Sequence, residues 1–291
     1  MELIQLQNEY LQVGIKQKGA ELASIRSRKS GLEYMWEGDP TYWGRHSSIL
    51  YPIVGRVFND QYTHEGQTFA MKQHGLARNL PFELRQSSSD FAEFVLHSDV
   101  ETLKHYPFDF VFIARYELAG NKVSIHYTIE NPGENAAFFS VGAHPAFRCP
   151  IYSHENRSDY RLVFDQAEEA RTQHLEGGFR TGASSSVLQN SPVLPITDRL
   201  FEHDALIFQS LRSHRVSLEN STGERFWTFD FEGFPYLGIW SKNEKAPFIC
   251  IEPWFGVADQ VGGYLALKHK EGIIPLEEGK SFHCKHAVEI L

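Results

Sequence analysis

The chain has 291 residues, 42% of them hydrophobic, and a formal net charge of -9 at pH 7. Such a composition supports a packed core and excludes general disorder. The acidic balance argues against a nucleic-acid partner, whose footprint is basic, but leaves room for a local basic pocket that takes a small anion.

Taken in chain order, the dominant period is two. "YLQVGIK" places Leu11, Val13 and Ile15 on one face of a strand. "GRHSSILYPIVGR" supplies Arg45 and Arg56, and "KQHGLARN" carries His74 and Arg78 around Gly75, a residue free to turn the backbone. Read alone, His74 and Arg78 are first a loop histidine and a surface arginine, since most such residues are exposed. "SSS" at Ser87–Ser89, and again at Ser184–Ser186, reads as loop, and "VETLKHYP" (Val100 to Pro107) is the best short helix, stopped by its proline. "LAGNK" joins two alternating runs, the second holding Val123, Ile125, Tyr127 and Ile129, as a hairpin.

"SVGAHPAFRCP" places His144 before Pro145, which restricts the histidine to extended geometry. Histidine titrates near neutrality and can act as a general acid, although a histidine beside apolar residues is also a common structural feature. "LFEHDALIF" sets Asp204 just ahead of an apolar strand, as a hydroxyl-binding carboxylate or a turn cap. "NSTGER" is a second hairpin connection, and "YLGIWSK" ends a strand on Trp240, a stacking wall or plain core. "FICIEPWFGVADQ" brings Glu252 to the end of an apolar strand, where a carboxylate must be exposed, paired or protonated. Beside Trp254 its pKa can rise into the range useful for proton transfer. "LEEGKS" introduces a last strand alternating Phe282, Cys284, His286, Val288 and Ile290.

Many strands with frequent turns and no fixed repeat imply an all-β, large antiparallel β-sandwich rather than a propeller, with residues 1–291 forming one domain. Cys149, Cys250 and Cys284 are too far apart and too few to suggest a zinc motif or a disulfide framework, so inert thiols in a reducing compartment are expected. The first residues lack a basic segment followed by an apolar one, and no apolar run approaches transmembrane length. A cytoplasmic protein with no membrane partner is therefore expected. A homodimer contact on a polar sheet face is compatible with the sequence.

The segments "YPIVGRVFND", "KQHGLARN", "SVGAHPAFR", "HDALIF", "YLGIWSK" and "ICIEPWFGVAD", in this order, resemble the aldose 1-epimerase (galactose mutarotase-like) family, in particular its LacX-like branch. The resemblance implies a large twisted β-sandwich (the galactose mutarotase-like supersandwich) with a sugar in an open cleft. It further implies Glu252 as base, His144 as acid, His74 as the second histidine near the reacting atoms, and Asp204 as the carboxylate that positions hydroxyls. Arg56 would hold hydroxyls of a free sugar, whereas Arg78, with Arg45 as a second clamp, would suit a hexose phosphate. The reaction implied is interconversion of α and β anomers by ring opening and reclosure, with no cofactor and no metal. Two other readings stay open: a sugar-binding sensor without catalysis, and a lyase or hydrolase using Glu252 and Asp204 as its carboxylate pair. The wording "GAHPAFR" departs from the "HPYFNL" of galactose-specific members, which loosens the sugar preference.

Overall fold

The computed structural model describes residues 3–263 and 266–291. Two antiparallel sheets form its centre. The larger has nine strands, running from edge to edge as Phe179–Pro195, Tyr160–Glu176, Arg215–Asn220, Arg225–Asp230, Ser281–Ile290, Lys122–Glu130, Val111–Ala119, Phe91–His97 and Glu83–Ser87. The smaller has five, in the order Leu206–Gln209, Tyr236–Trp240, Phe248–Trp254, Gly142–Arg148 and Ser47–Leu50. The sheets face each other through large side chains. Phe147 packs on Trp227 with centroids 4.5 Å apart, and Phe164 meets Phe208 edge to face at 6.3 Å. This is the β-sandwich expected from the two-residue period. Among the described residues the α-helix is confined to Val100–Leu103, capped by Asp99, and no helix is long and apolar enough to cross a membrane. The helix expected to Pro107 stops earlier, because Lys104 and His105 turn the chain toward the buried residues Tyr106 and Phe108.

The hairpins expected at Leu118–Lys122 and Asn220–Arg225 form, with Val111–Ala119 paired to Lys122–Glu130 and Arg215–Asn220 to Arg225–Asp230. The serines 184–186 are a correction. They lie inside a 17-residue strand, not a loop, and face Gln173, Thr172 and Arg171 across a long hairpin. Backbone pairing supplies what the polar side chains lack, and Arg171 Nε donates to Ser184 Oγ at 3.1 Å. The signal for this hairpin was Gly177-Gly178, whose φ values of 61° and 82° match the two-residue turn that needs both central residues left-handed.

Alternation across the five-stranded sheet divides its residues between two environments. Phe147, Ile239, Ile249 and Ile251 point into the main core between the sheets. Their neighbours on the other face include His144, Trp240, Cys250, Glu252 and Trp254. That second face is walled by the hairpin tip at Leu175–Gly178 and by the loops that hold Trp43 and His74.

Glu21 secures the entry to the strand Ser47–Leu50. Its carboxylate accepts from the backbone N–H of His46 at 2.8 Å and of Ser47 at 3.3 Å, and lies 3.3 Å from Lys16 Nζ. Burial alone would raise its pKa, but the hydrogen bonds from His46 and the charge of Lys16 outweigh burial and hold it at about 2. A depressed carboxyl stabilises the fold above its ordinary value and loses that contribution as pH falls through the folded value. Glu21→Gln is expected to destabilise the protein by about 3 kcal/mol at pH 7, with the gap closing between about pH 4.5 and 2. Urea midpoints across that range test this, and a gap independent of pH would exclude the ion as its cause.

Candidate active site

The chemistry gathers on the outer face of the five-stranded sheet. The register sets Gly142 opposite Trp254 and Ala146 opposite Cys250, which brings His144 opposite Glu252 on the neighbouring strand. His144 Nε2 lies 3.2 Å from Glu252 Oε2, with the residues 7% and 1% exposed. Glu252 is not at the strand end, as its place in the sequence suggested, but inside the strand Phe248–Trp254. On its other side the partner is Gly238, over which the indole of Trp254 lies. A Cβ on Gly238 would come within 2.5 Å of Trp254 Cζ2, and one on Gly142 within 2.6 Å of its Cδ1. Two glycines thus make the recess that lets Trp254 lie flat beside the carboxylate.

Electrostatics places one proton on this pair. Burial, then the charge of Asp204, pushes the Glu252 carboxyl well above its usual range, with Trp254 opposing. Burial, then the Arg78 charge, pushes the His144 imidazole down to about 3. At neutral pH the pair therefore holds a single shared proton and no net charge, which is the arrangement a desolvated acid–base couple favours. Aromatic walls set the ring's orientation. Trp43 stacks on His144 with centroids 4.6 Å apart and planes at 24°, and Trp240 meets its edge at 5.6 Å. Among the described residues His144 Nδ1 is buried with no hydrogen-bond partner, and aromatic packing orients this imidazole.

His74 stands at right angles to His144, with centroids 5.7 Å apart. Its backbone has φ 64°, an uncommon conformation for a residue with a side chain. The following Gly75, φ 70°, packs against the Tyr51–Pro52 peptide so closely that a Cβ would fall 2.3 Å from the Tyr51 carbonyl oxygen. Only glycine fits there, and the contact clamps the His74 loop to the sheet. The Gly55 N–H donates to His74 Nδ1 at 3.1 Å. That bond makes Nδ1 the acceptor and leaves the proton on Nε2, the ring's other nitrogen. Burial, then the Arg78 and His144 charges, holds the His74 pKa well below its ordinary value, so the ring is a neutral donor.

The cavity over these residues measures about 290 Å³, near the lower end of the roughly 300–1,000 Å³ of small-molecule sites. Of the residues expected from sequence, His74, Arg78, His144, Asp204, Trp240 and Glu252 line it. Asp204 reaches the rim from a left-handed backbone, φ 70°, at the start of the strand Leu206–Gln209. Arg56 and Arg45 lie elsewhere. Arg56 Nε and Nη2 donate to the Asp60 carboxylate at 3.0 and 2.8 Å, and Nη1 donates to the Gly177 carbonyl at 2.8 Å. It also covers the Phe179 ring at 4.7 Å. Its guanidinium holds the hairpin tip that walls the cavity, instead of facing into it. Arg45 donates to Asn79 Oδ1 at 2.8 Å and to the Arg78 carbonyl at 3.3 Å. It lines an adjoining cavity of about 440 Å³ with Lys16, Lys18, Glu21, Gly44, Trp43 and Arg78. Trp43 and Arg78 line both cavities, so the basic recess opens beside the His144–Glu252 pair. Burial, then Arg45, lowers the Arg78 pKa to about 10, which leaves it charged at neutral pH. Trp43 and Gln73 were missed by sequence reasoning, because a loop position has no periodicity to mark it.

Comparison with known proteins places the chain. The family model for aldose 1-epimerase matches residues 2–262. The chromosomal protein LacX of Lactococcus lactis subsp. lactis is 32% identical over 289 residues, covering 95% of this chain and 96% of the relative. The crystal structure of a galactose mutarotase related enzyme from Lactobacillus acidophilus superposes with a TM-score of 0.94 at 33% identity, covering 99% of this chain and 97% of that one. A galactose mutarotase-like protein from Lactobacillus casei gives a TM-score of 0.93 at 32% identity, with coverage of 99% and 100%. The chain belongs to the aldose 1-epimerase family.

Proposed function

We propose that this protein is a cofactor-independent isomerase that interconverts the α and β anomers of a hexose or hexose phosphate. The observation that supports this most directly is the buried His144–Glu252 pair, 3.2 Å apart at the floor of a cavity of about 290 Å³. Opening a hemiacetal requires removal of the proton from the C1 hydroxyl and delivery of one to the ring oxygen. With the shared proton moved across the 3.2 Å contact onto His144, Glu252 takes the first while His144 gives the second, and the C1–O5 bond breaks. The open-chain aldehyde turns about C1–C2 and closes on its other face with the roles reversed. The pair contains one proton before and after, so a turnover needs no exchange with solvent. Each proton transfer contributes roughly 10²–10⁴-fold. His74, a neutral donor, suits a sugar oxygen near the reacting carbon, Asp204 suits hydroxyls at the rim, and Trp43 and Trp240 offer flat apolar walls.

The basic recess supports an anionic substituent on the sugar. Arg78 and Arg45, with Lys16 at the end of a strand and Lys18 in the turn after it, form a cluster suited to a phosphate arm. Anomer exchange by saturation-transfer NMR on galactose, glucose and their 6-phosphates tests the function. Absence of exchange despite bound sugar would instead indicate a sensor. Arg78→Ala is expected to slow exchange of the phosphorylated sugars by about 10–100-fold, the worth of a charge-assisted hydrogen bond, and that of the free sugars less. An equal loss for both would eliminate the phosphate clamp.

A further inference from the structure

Cys250 has no task in the proton transfers, yet its position is chemically pointed. It precedes Glu252 by two residues on the same face of one strand, with Ala146 opposite it on the strand of His144. Cys250 Sγ, His144 Nε2 or Nδ1 and a Glu252 carboxylate oxygen all lie within 4.8 Å of one another, and all three residues are buried. We infer that the floor of the sugar cavity is also a binding site for a thiophilic divalent cation of the zinc class, held by His144, Cys250 and Glu252 in competition with sugar.

Geometry and charge both support the assignment. Tetrahedral bonds of about 2.0–2.1 Å set neighbouring nitrogen and oxygen ligands about 3.3 Å apart. The His144–Glu252 separation is 3.2 Å. The longer bond to sulfur, about 2.3 Å, allows a wider span to the thiolate, and all three ligand atoms lie within 4.8 Å of one another. One imidazole, one carboxylate and one thiolate select zinc over magnesium or calcium, which prefer oxygen. Binding displaces the proton shared by His144 and Glu252 and the thiol proton of Cys250, releasing both. The ion then carries two positive charges against two anionic ligands, so the buried site remains neutral overall. Three protein ligands leave a fourth position open, and two of them, His144 and Glu252, line the cavity while Cys250 lies buried behind them. Burial, then the neighbouring Glu252, pushes the Cys250 thiol well up, so the cation must displace a firmly held proton. While bound, the cation removes both the base and the acid of the proposed reaction.

Cobalt(II) chloride, added to the full chain freed of metals by chelator, is the probe. Cobalt is read by the thiolate-to-cobalt charge-transfer absorption in the near ultraviolet. One cobalt per chain with that absorption is expected, displaced by zinc chloride, and lost in Cys250→Ala and in His144→Asn. Zinc is expected to abolish anomer exchange reversibly. Cys250→Ala should raise the required zinc concentration by more than the ~10–100-fold typical of losing an outer-shell partner. Absence of the absorption in the native chain overturns the inference, as does its persistence in Cys250→Ala, which would assign it to Cys149 or Cys284. Should Cys250→Ala fail to fold by circular dichroism, His144→Asn decides, because it leaves the cysteine's packing untouched. Cobalt absorption without anomer exchange would sink the isomerase reading and leave the metal site standing.

Discussion

Glu252→Gln is expected to lower the rate constant of anomer exchange by at least ~10²-fold, toward 10⁴, while the protein still binds sugar. The amide occupies the space of the carboxyl inside the strand Phe248–Trp254, and its N–H can donate to His144 Nε2, so packing and cavity survive. It cannot accept a proton from the C1 hydroxyl. The loss should therefore fall on kcat with little change in the sugar's dissociation constant, as for an interaction made only in the transition state. Saturation-transfer NMR reads the exchange, and isothermal titration calorimetry reads the binding. The native enzyme's pH profile follows from the shared proton. Activity requires that the pair hold one proton, since a second removes the base and none removes the acid. With Glu252 raised and His144 depressed to about 3, exchange should hold steady from neutrality into the acid range and fall on the alkaline side. An acid limb near pH 6 would mean that another group is the base. Exchange unchanged in Glu252→Gln would remove Glu252 from that role altogether.

His144→Asn is expected to be comparably impaired, for two reasons that act together. The variant has no acid for the ring oxygen. It also leaves Glu252, whose carboxyl burial and then the Asp204 charge hold well above its usual range, without the imidazole that takes its proton and frees it to act as base. Removing one partner thus disables the other. The double variant His144→Asn with Glu252→Gln should be no more than about tenfold slower than the worse single variant, because residues that act as a unit are far from additive. Two losses that multiply instead would show the residues working independently, and would break the assignment of a proton shared between them. Folding is checked by thermal melting of each variant, since the aromatic walls formed by Trp43 and Trp240 also depend on the imidazole.

Much of this was legible in the chain. Period-two alternation in "KVSIHYTIEN" and "SFHCKHAVEIL" is set by the requirement that every second side chain face the core, so it reports strands wherever one face is buried. The strands Lys122–Glu130 and Ser281–Ile290 sit side by side in the large sheet as that pattern demands. His74, His144 and Glu252 were conspicuous for the same reason that they are chemically useful. His144 and Glu252 are polar groups in apolar stretches, which must be paired, protonated or set to work, whereas His74 stood out only beside the turn at Gly75.

The hairpin of residues 160–195 shows where sequence alone fails. Its outer strand is stabilised by backbone pairing and side-chain hydrogen bonds such as Arg171 to Ser184, and with only Leu188 and Leu194 of its apolar residues fully in the core it leaves no periodic trace. Its tip nevertheless walls the cavity, and Arg56, expected to face the sugar, is spent on holding that tip. The sequence by itself determined the strand-rich architecture and the kinds of residue able to move a proton, because burial pattern and side-chain chemistry are local properties. Tertiary structure alone decided that His144 opposes Glu252 across a strand pair and that Gly55 sets the His74 tautomer. It also decided that Arg78 joins a basic recess while Arg56 does not. Those outcomes depend on register and on contacts between residues far apart in the chain, which no local pattern encodes.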